Sequence, residues 1–198
     1  MIIKYNTKDF ALGYHNGSPI NKAYKNGEVI YQRIGKDEPT PFDGKWLATY
    51  SDSHTESAEC GASSAITQNE ITKTNIVSVE LGDCVTSIGN YAFLVYSGLT
   101  SVTIPDSVTS IGNSAFQGCR NITSVIIPDS VTSIGGNAFG NCQSLTSVIV
   151  ESITPPTLGS GVFGDTNNCP IYVPAESVDA YKAANNWSTY ASRIQPLP

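Results

Sequence analysis

Two consecutive stretches of the chain are near copies of one another. LTSVTIPDSVTSIGNSAFQGCRN at 99–121 runs straight into ITSVIIPDSVTSIGGNAFGNCQS at 122–144, and 15 of the 23 positions are identical. Self-similarity at a fixed period of this length predicts a solenoid, in which each repeat is one turn that buries its apolar face against its neighbours. Such an architecture offers a long surface and no obligatory pocket, which directs function towards binding or structure. The register begins one period earlier, with IVSVELGDCVTSIGNYAFLVYSG at 76–98. It decays after Leu145 through ESITPPT into LGSGVFGDTNNCPIYVP, where Phe163 follows Phe139 by 24 residues and implies one inserted residue.

Inside a repeat the apolar residues are Leu99, Val102, Ile104, Val108, Ile111, Ala115, Phe116 and Cys119. Val102 and Ile104 alternate with Ser101, Thr103 and Pro105, which is strand periodicity, and 108–111 reads as a second short extended segment ended by Gly112. Pro105 and Pro128 lack the donor that would continue a strand, so they mark the corner between the two segments. Ala115-Phe116 with Cys119 is too short for an α-helix and predicts a single helical or 3₁₀ turn that drops the ring into the core. Phe93, Phe116, Phe139 and Phe163 are therefore expected to line one buried column.

The near-verbatim IPxSVTxIGxxAFxxC core resembles the BspA-like leucine-rich repeats of bacterial surface proteins, over about residues 76–174 in some four coils. The tail IYVPAESVDAYKAANNWSTYASRI resembles the carboxy-terminal cap of such arrays. This resemblance implies a right-handed solenoid with a parallel sheet on one face, short 3₁₀ or helical turns, a role in adhesion or protein recognition, no enzymatic activity, and a cell-surface or extracellular setting. Residues 175–198 are read as a helical cap, with a helix at 178–184 that begins at Ser177, ends at Asn185-Asn186, and uses Val178, Tyr181, Ala184 and Trp187 to cover the last coil. Residues 45–75 are read as the opposite cap, with strands at 46–50 and 55–60. Residues 1–35 are read as a β-hairpin segment turning at Asn26-Gly27, and 36–44 as a linker. The stretch NKAYKNGEVIYQ resembles short segments of phage and prophage tail proteins, which would imply a virion-associated setting.

Charge narrows the partners. Residues 1–50 carry seven basic and five acidic side chains and 51–198 carry four and twelve, within a net charge of −6. The acidic, lysine-poor array has no basic patch for nucleic acid. No apolar stretch is long enough to span a bilayer, and MIIKYNTKDFALGY lacks the hydrophobic core and cleavage site of a signal peptide.

Motifs with chemical potential have structural readings. The five cysteines form no CxxC pair; Cys119 and Cys142 read as stacked buried thiols, Cys84 as the replacement of a turn serine, and Cys60 and Cys169 as lying outside the register. Gly159, Gly161 and Gly164 spell GxGxxG without the strand and long helix that a dinucleotide site needs, so no cofactor is expected. Ser51-Asp52-Ser53-His54 reads as a polar hairpin turn rather than a triad, and His15 and His54 make no metal site. Asp83, Asp106 and Asp129 recur as a column of turn carboxylates, each read as capping its own turn in preference to holding a cation. Asn16, Asn121 and Asn186 head glycosylation sequons that are read as incidental.

The candidate binding surface is the outward side of the first strand: Ser78 and Glu80, Ser101 and Thr103, Ser124 and Ile126, Ser147 and Ile149. The second column runs Glu, Thr, Ile, Ile while the buried positions of the two clean copies stay fixed. Four coils at about 4.8 Å make a strip under about 20 Å wide, so one copy is expected to bind weakly and to gain from multivalent display. The reading is a non-enzymatic recognition or adhesion module for a protein or surface glycan, with a structural spacer or an assembly subunit of a surface or tail-like particle as the alternative.

Overall fold

The computed structural model describes residues 11–15, 18–25, 28–30, 44–53, 55–59, 64–68, 70–71 and 75–198. The chain divides into two units, Met1–Pro41 and Phe42–Pro198. In the first, β1 (Ala11–His15), β2 (Ser18–Lys25) and β3 (Glu28–Ile30) form an antiparallel sheet. Lys25 pairs with Glu28, so the hairpin expected there is present, and β1 adds a third strand to it. The Asn26-Gly27 turn itself, residues 36–43 of the 36–44 linker, His54 and Cys60 lie outside the described residues.

The second unit is a parallel-strand solenoid of about six turns. Its broad side begins with β4 (Trp46–Tyr50) and β5 (Thr55–Ala58), an antiparallel pair. Five short strands stack in parallel on another side: β6 (Ala65–Ile66), β8 (Ser87–Ile88), β10 (Ser110–Ile111), β12 (Ser133–Ile134) and β14 (Thr157–Leu158). The repeating broad-side strands are β7 (Ile76–Leu81), β9 (Ser101–Thr103), β11 (Ser124–Ile127), β13 (Ser147–Val150) and β15 (Ile171–Val173), and β16 (Ile194–Pro196) closes the row. Alternation decides what each strand buries: in β11, Val125 and Ile127 are buried while Ser124 and Ile126 face outward. Stacking therefore reaches past 76–174 in both directions, to β6 before it and β16 after it.

The core contains the predicted column of rings. Phe93, Phe116, Phe139 and Phe163 are fully buried and stack at centroid spacings of 5.0, 5.2 and 5.8 Å. The widest gap is the one across the inserted residue. Cys119 and Cys142 are buried thiols outside any disulfide, and their Sγ atoms lie 3.0 and 3.3 Å from the carbonyls of Phe93 and Phe116. Burial pushes the Cys142 thiol up to about 12, so it is inert as a nucleophile. Cys169 proves to be in register, because its N–H closes a turn on Thr166 as Leu145 does on Cys142. It occupies the leucine position, which the inserted residue disguises in the sequence.

The segment around each phenylalanine corrects the expectation of a 3₁₀ turn. Alternate N–H groups close tight turns within the coil, as Ala92 does to Gly89 and Tyr96 to Phe93. The N–H groups between them leave the coil: Tyr91, Phe93 and Val95 donate to the carbonyls of Asn113, Ala115 and Gln117 at 2.7–2.9 Å. A 3₁₀ turn would keep all of these bonds inside one coil; this arrangement makes a third inter-coil ladder. It requires left-handed backbone at two positions per coil, occupied by Tyr91, Ser114, Asn137 and Gly161, and by Val95, Gly118, Asn141 and Asp165, all at φ between 51° and 75°.

Glycine, asparagine and aspartate suit that conformation, whereas the β-branched Val95, at φ 60° and 59% exposed, does not. Val95→Asn is therefore expected to raise stability by about 1 kcal/mol, since a left-handed L-residue costs roughly 1–2 kcal/mol and an exposed valine returns little packing. Urea denaturation measures this, and a midpoint that stays or falls would show that the packing of the valine side chain outweighs the strain.

Polar repeat residues expected simply to face water also clamp the coils. The hydroxyls of Thr100, Thr109, Thr132 and Thr146 donate to carbonyls one coil back at 2.8–3.2 Å. Ser107 and Ser130 do the same to Val85 and Val108 at 2.7 Å. Cys84 stands at the equivalent place in the first coil and is disulfide-bonded. Gly112 is dictated by the same close stacking, because a Cβ there would stand 2.5 Å from the Asn90 nitrogen and 2.6 Å from the Gly89 carbonyl carbon.

The carboxy-terminal cap follows expectation with one correction. Helix α1 (Val178–Ala183) buries Tyr181, and Trp187 beyond it is also fully buried. Ser177 does not cap α1 through its side chain. The short 3₁₀ turn Ala175–Ser177 precedes the helix, and its geometry sends the Ser177 hydroxyl back to the Pro174 carbonyl at 2.8 Å. Asn186 takes left-handed backbone after the helix and donates to the Leu158 carbonyl at 2.6 Å. At the other end Lys45 is buried and bonds Glu70 at 2.7 Å. Burial works against the Glu70 charge, but Lys45 and the Thr67 N–H outweigh it and hold the carboxyl below its usual range.

Candidate functional site

The outward strand positions assemble into the two columns predicted. Ser78 pairs with Ser101 and Glu80 with Thr103, while Ser124 pairs with Ser147 and Ile126 with Ile149. All eight side chains are at least partly solvent-accessible, and Ile126 is 42% exposed. The backbone ladder is interrupted between β9 and β11, which remain neighbours.

The face is wider than the four predicted strands. On one flank β4 pairs antiparallel with β7 and sets Leu47 beside Glu80 and Thr49 beside Ser78, with Ser57 and Thr55 beyond them on β5. On the other flank Tyr172 pairs with Ile149 and Gln195 with Tyr172. The second column therefore reads Ser57, Leu47, Glu80, Thr103, Ile126, Ile149, Tyr172, Gln195, and eight strands at about 4.8 Å span roughly 34 Å. Tyr172 and Gln195 were legible, since each lies 23 residues after the column member before it. Leu47 carried no such signal because its strand runs antiparallel and stands outside the repeat.

Polarity grades along the column. Ile126, Ile149 and Tyr172 form an apolar strip, bounded on one side by Thr103 and Glu80 and on the other by Gln195. At the end of the strands Asp83, Asp106 and Asp129 are exposed, each at the second position of a turn that the backbone itself closes, with Val85, Val108 and Val131 donating at 2.9–3.1 Å. Each aspartate follows its column residue by three positions, so its Cα lies within about 11 Å of that residue along the chain.

The remaining motifs are structural where the structure describes them. In GxGxxG, Gly161 takes φ 67° and a Cβ on Gly159 would collide with the backbone of the coil before. Ser51-Asp52-Ser53 forms the turn between β4 and β5, with Ser53 at φ 69°. A shallow open groove over the short strands, lined by Ser87, Ser110, Ser133, Asn90 and Asn113, is floored by glycines that coil stacking already demands. Among the described residues no three His, Cys, Asp or Glu side chains converge as metal ligands, and no helix is long and apolar enough to cross a membrane.

The family model for the BspA type leucine rich repeat region matches residues 64–188 in six copies. The chain belongs to the BspA-type leucine-rich repeat family. This BspA-type chain is similar to a leucine rich cell surface protein from Faecalibacterium prausnitzii, at 23% identity over 76% of this chain and 58% of that one, with a TM-score of 0.35. It is also similar to a leucine-rich repeat protein from Bacteroides ovatus, at 19% identity over 64% of this chain and 45% of that one, with a TM-score of 0.33. It thus spans about half the length of these solved chains. No curated protein matches it.

Proposed function

We propose that this BspA-type chain is a non-enzymatic recognition module that adheres to a surface-borne protein through the strand face. The observation carrying this reading is the second column, which changes from Glu80 through Thr103 to Ile126 and Ile149 and then Tyr172 while the residues beneath hold to one pattern. Leucine-rich repeats of this family generally serve as protein-interaction modules. An exposed isoleucine in a strip with Ile149 and Tyr172 is surface that gains from being covered. The disulfide at Cys84 suits an oxidising, extracytoplasmic setting.

Area argues for display in several copies. A strip of roughly 34 Å by one short strand offers roughly 400–500 Å², below the about 800 Å² per partner of a standard interface. Tethering several copies raises avidity without new contacts. Ile126→Lys with Ile149→Lys is expected to abolish capture of bacterial or host-cell surface proteins by tetramerised protein while leaving the thermal melt within a few degrees, because both side chains point away from the core. Equal capture by wild type and double variant would remove the strand face from the reading and leave a spacer.

A further inference from the structure

Three features meet on the strand face: the apolar strip on β11, β13 and β15, the carboxylate of Glu80 on β7 beyond Thr103, and the exposed column Asp83, Asp106 and Asp129 at the ends of β7, β9 and β11, where Asp129 ends the strand that carries Ile126. Among the described residues none of these four carboxylates makes an ion pair. The unit's described basic side chains are engaged or distant. Lys45 is buried against Glu70, and Arg193 is bound to Cys169, Phe163 and Thr166 inside the cap. Arg120 lies before β11, at the opposite end of that strand from Asp129, and Lys182 is on α1. Carboxylates repeated at about 4.8 Å on successive coils reinforce one another's field at this edge.

We propose that the partner segment taken by the strand face is an extended, cationic and amphipathic stretch of polypeptide. Its apolar side chains cover Ile126, Ile149 and Tyr172, and its lysine or arginine side chains reach Asp83, Asp106, Asp129 and Glu80. This rests on the strand-face reading above and adds the chemistry of the partner. The choice of occupant follows from charge complementarity: among the described residues these carboxylates have no cation beside them, and an acidic segment would meet like charge where the aspartates border the strip at β11. Complementary charge would act mainly on encounter and selectivity, with the apolar strip supplying the anchor.

The test uses the full chain, tetramerised, and three labelled 12-residue peptides read by fluorescence anisotropy: alternating Leu-Lys, alternating Leu-Glu, and Lys-Ser without apolar residues. Leu-Lys is expected to bind at least tenfold tighter than the other two, and to weaken several-fold between 50 and 200 mM salt. Asp83→Asn, Asp106→Asn and Asp129→Asn together should cost about tenfold and flatten the salt dependence, and Ile126→Lys with Ile149→Lys should abolish binding. If the triple variant melts early, Asp106→Asn alone should give about a twofold loss. Equal binding of Leu-Glu, or of Lys-Ser, overturns the cationic amphipathic partner, as does a triple variant that binds unchanged. Should Leu-Lys fail to bind while the isoleucine variant still loses capture of surface proteins, the partner chemistry is wrong and the strand-face reading stands. Should Leu-Lys bind the isoleucine variant undiminished, both fail.

Discussion

Phe116→Ala is expected to lower the unfolding free energy by about 3–5 kcal/mol, the range for deleting a buried phenylalanine whose surroundings cannot collapse. The ring is fully buried and sits between Phe93 at 5.0 Å and Phe139 at 5.2 Å, with planes within 5° of parallel. Two stacked contacts are lost at once, each worth about 0.5–1.5 kcal/mol beyond area burial. The cavity cannot close, because the backbone on both sides is held by inter-coil bonds: Phe116 donates to Ala138 and Phe93 to Ala115, both at 2.7 Å. Neighbouring coils would have to break that ladder to fill the void. Denaturant titration of wild type and variant measures the difference, with urea midpoints compared at unchanged slope. A loss under 1 kcal/mol would mean that the column is not the central packing element of the solenoid.

How far the sequence reached follows from what kind of bond fixed each element. Positions 23 residues apart showed the coils, the ring column and the outward strand positions, because burial alternates within a short strand and repeats with the coil. The clamps did not show. Thr109 and Ser107 look like solvated polar residues until the preceding coil is placed beside them and supplies the carbonyls of Thr86 and Val85. The same holds around the phenylalanines, where the local pattern suits a 3₁₀ turn and the adjacent coil's carbonyls select a ladder instead. Leu47 joined the candidate face through an antiparallel strand with no period, while Tyr172 and Gln195 were one and two additions of 23 beyond Ile149. Ser177 had the right residue type for a cap, but the chain enters the helix through a 3₁₀ turn that the residue type does not encode.

Removal of residues 175–198 is expected to turn the protein into an aggregating one. A solenoid's last coil presents unpaired backbone and apolar side chains that only a dissimilar element can cover. Here that element meets each ladder with a specific group. Trp187 Nε1 donates to the Pro156 carbonyl at 2.8 Å and Asn186 to Leu158 at 2.6 Å, closing the edge at β14. Tyr190 accepts the Phe163 N–H at 3.1 Å, and Arg193 donates to the carbonyls of Cys169 and Phe163 at 2.8 and 3.2 Å, closing the turn ladder. Strand β16 pairs with β15 and places Pro196, which has no N–H to offer, at the end of the row. Beneath these bonds Tyr181, Trp187 and Ile194 are buried. Burying a single large aromatic is worth about 3–5 kcal/mol by its truncation, so losing Tyr181 and Trp187 together removes about 6–10 kcal/mol, a large part of the roughly 5–15 kcal/mol a domain has in reserve. Size-exclusion chromatography with a dye that binds exposed apolar surface measures the outcome: high-molecular-weight species and strong dye signal for 1–174, monomer and weak signal for the full chain. A truncated protein that stays monomeric with the full chain's melting temperature would show that the last coil closes itself.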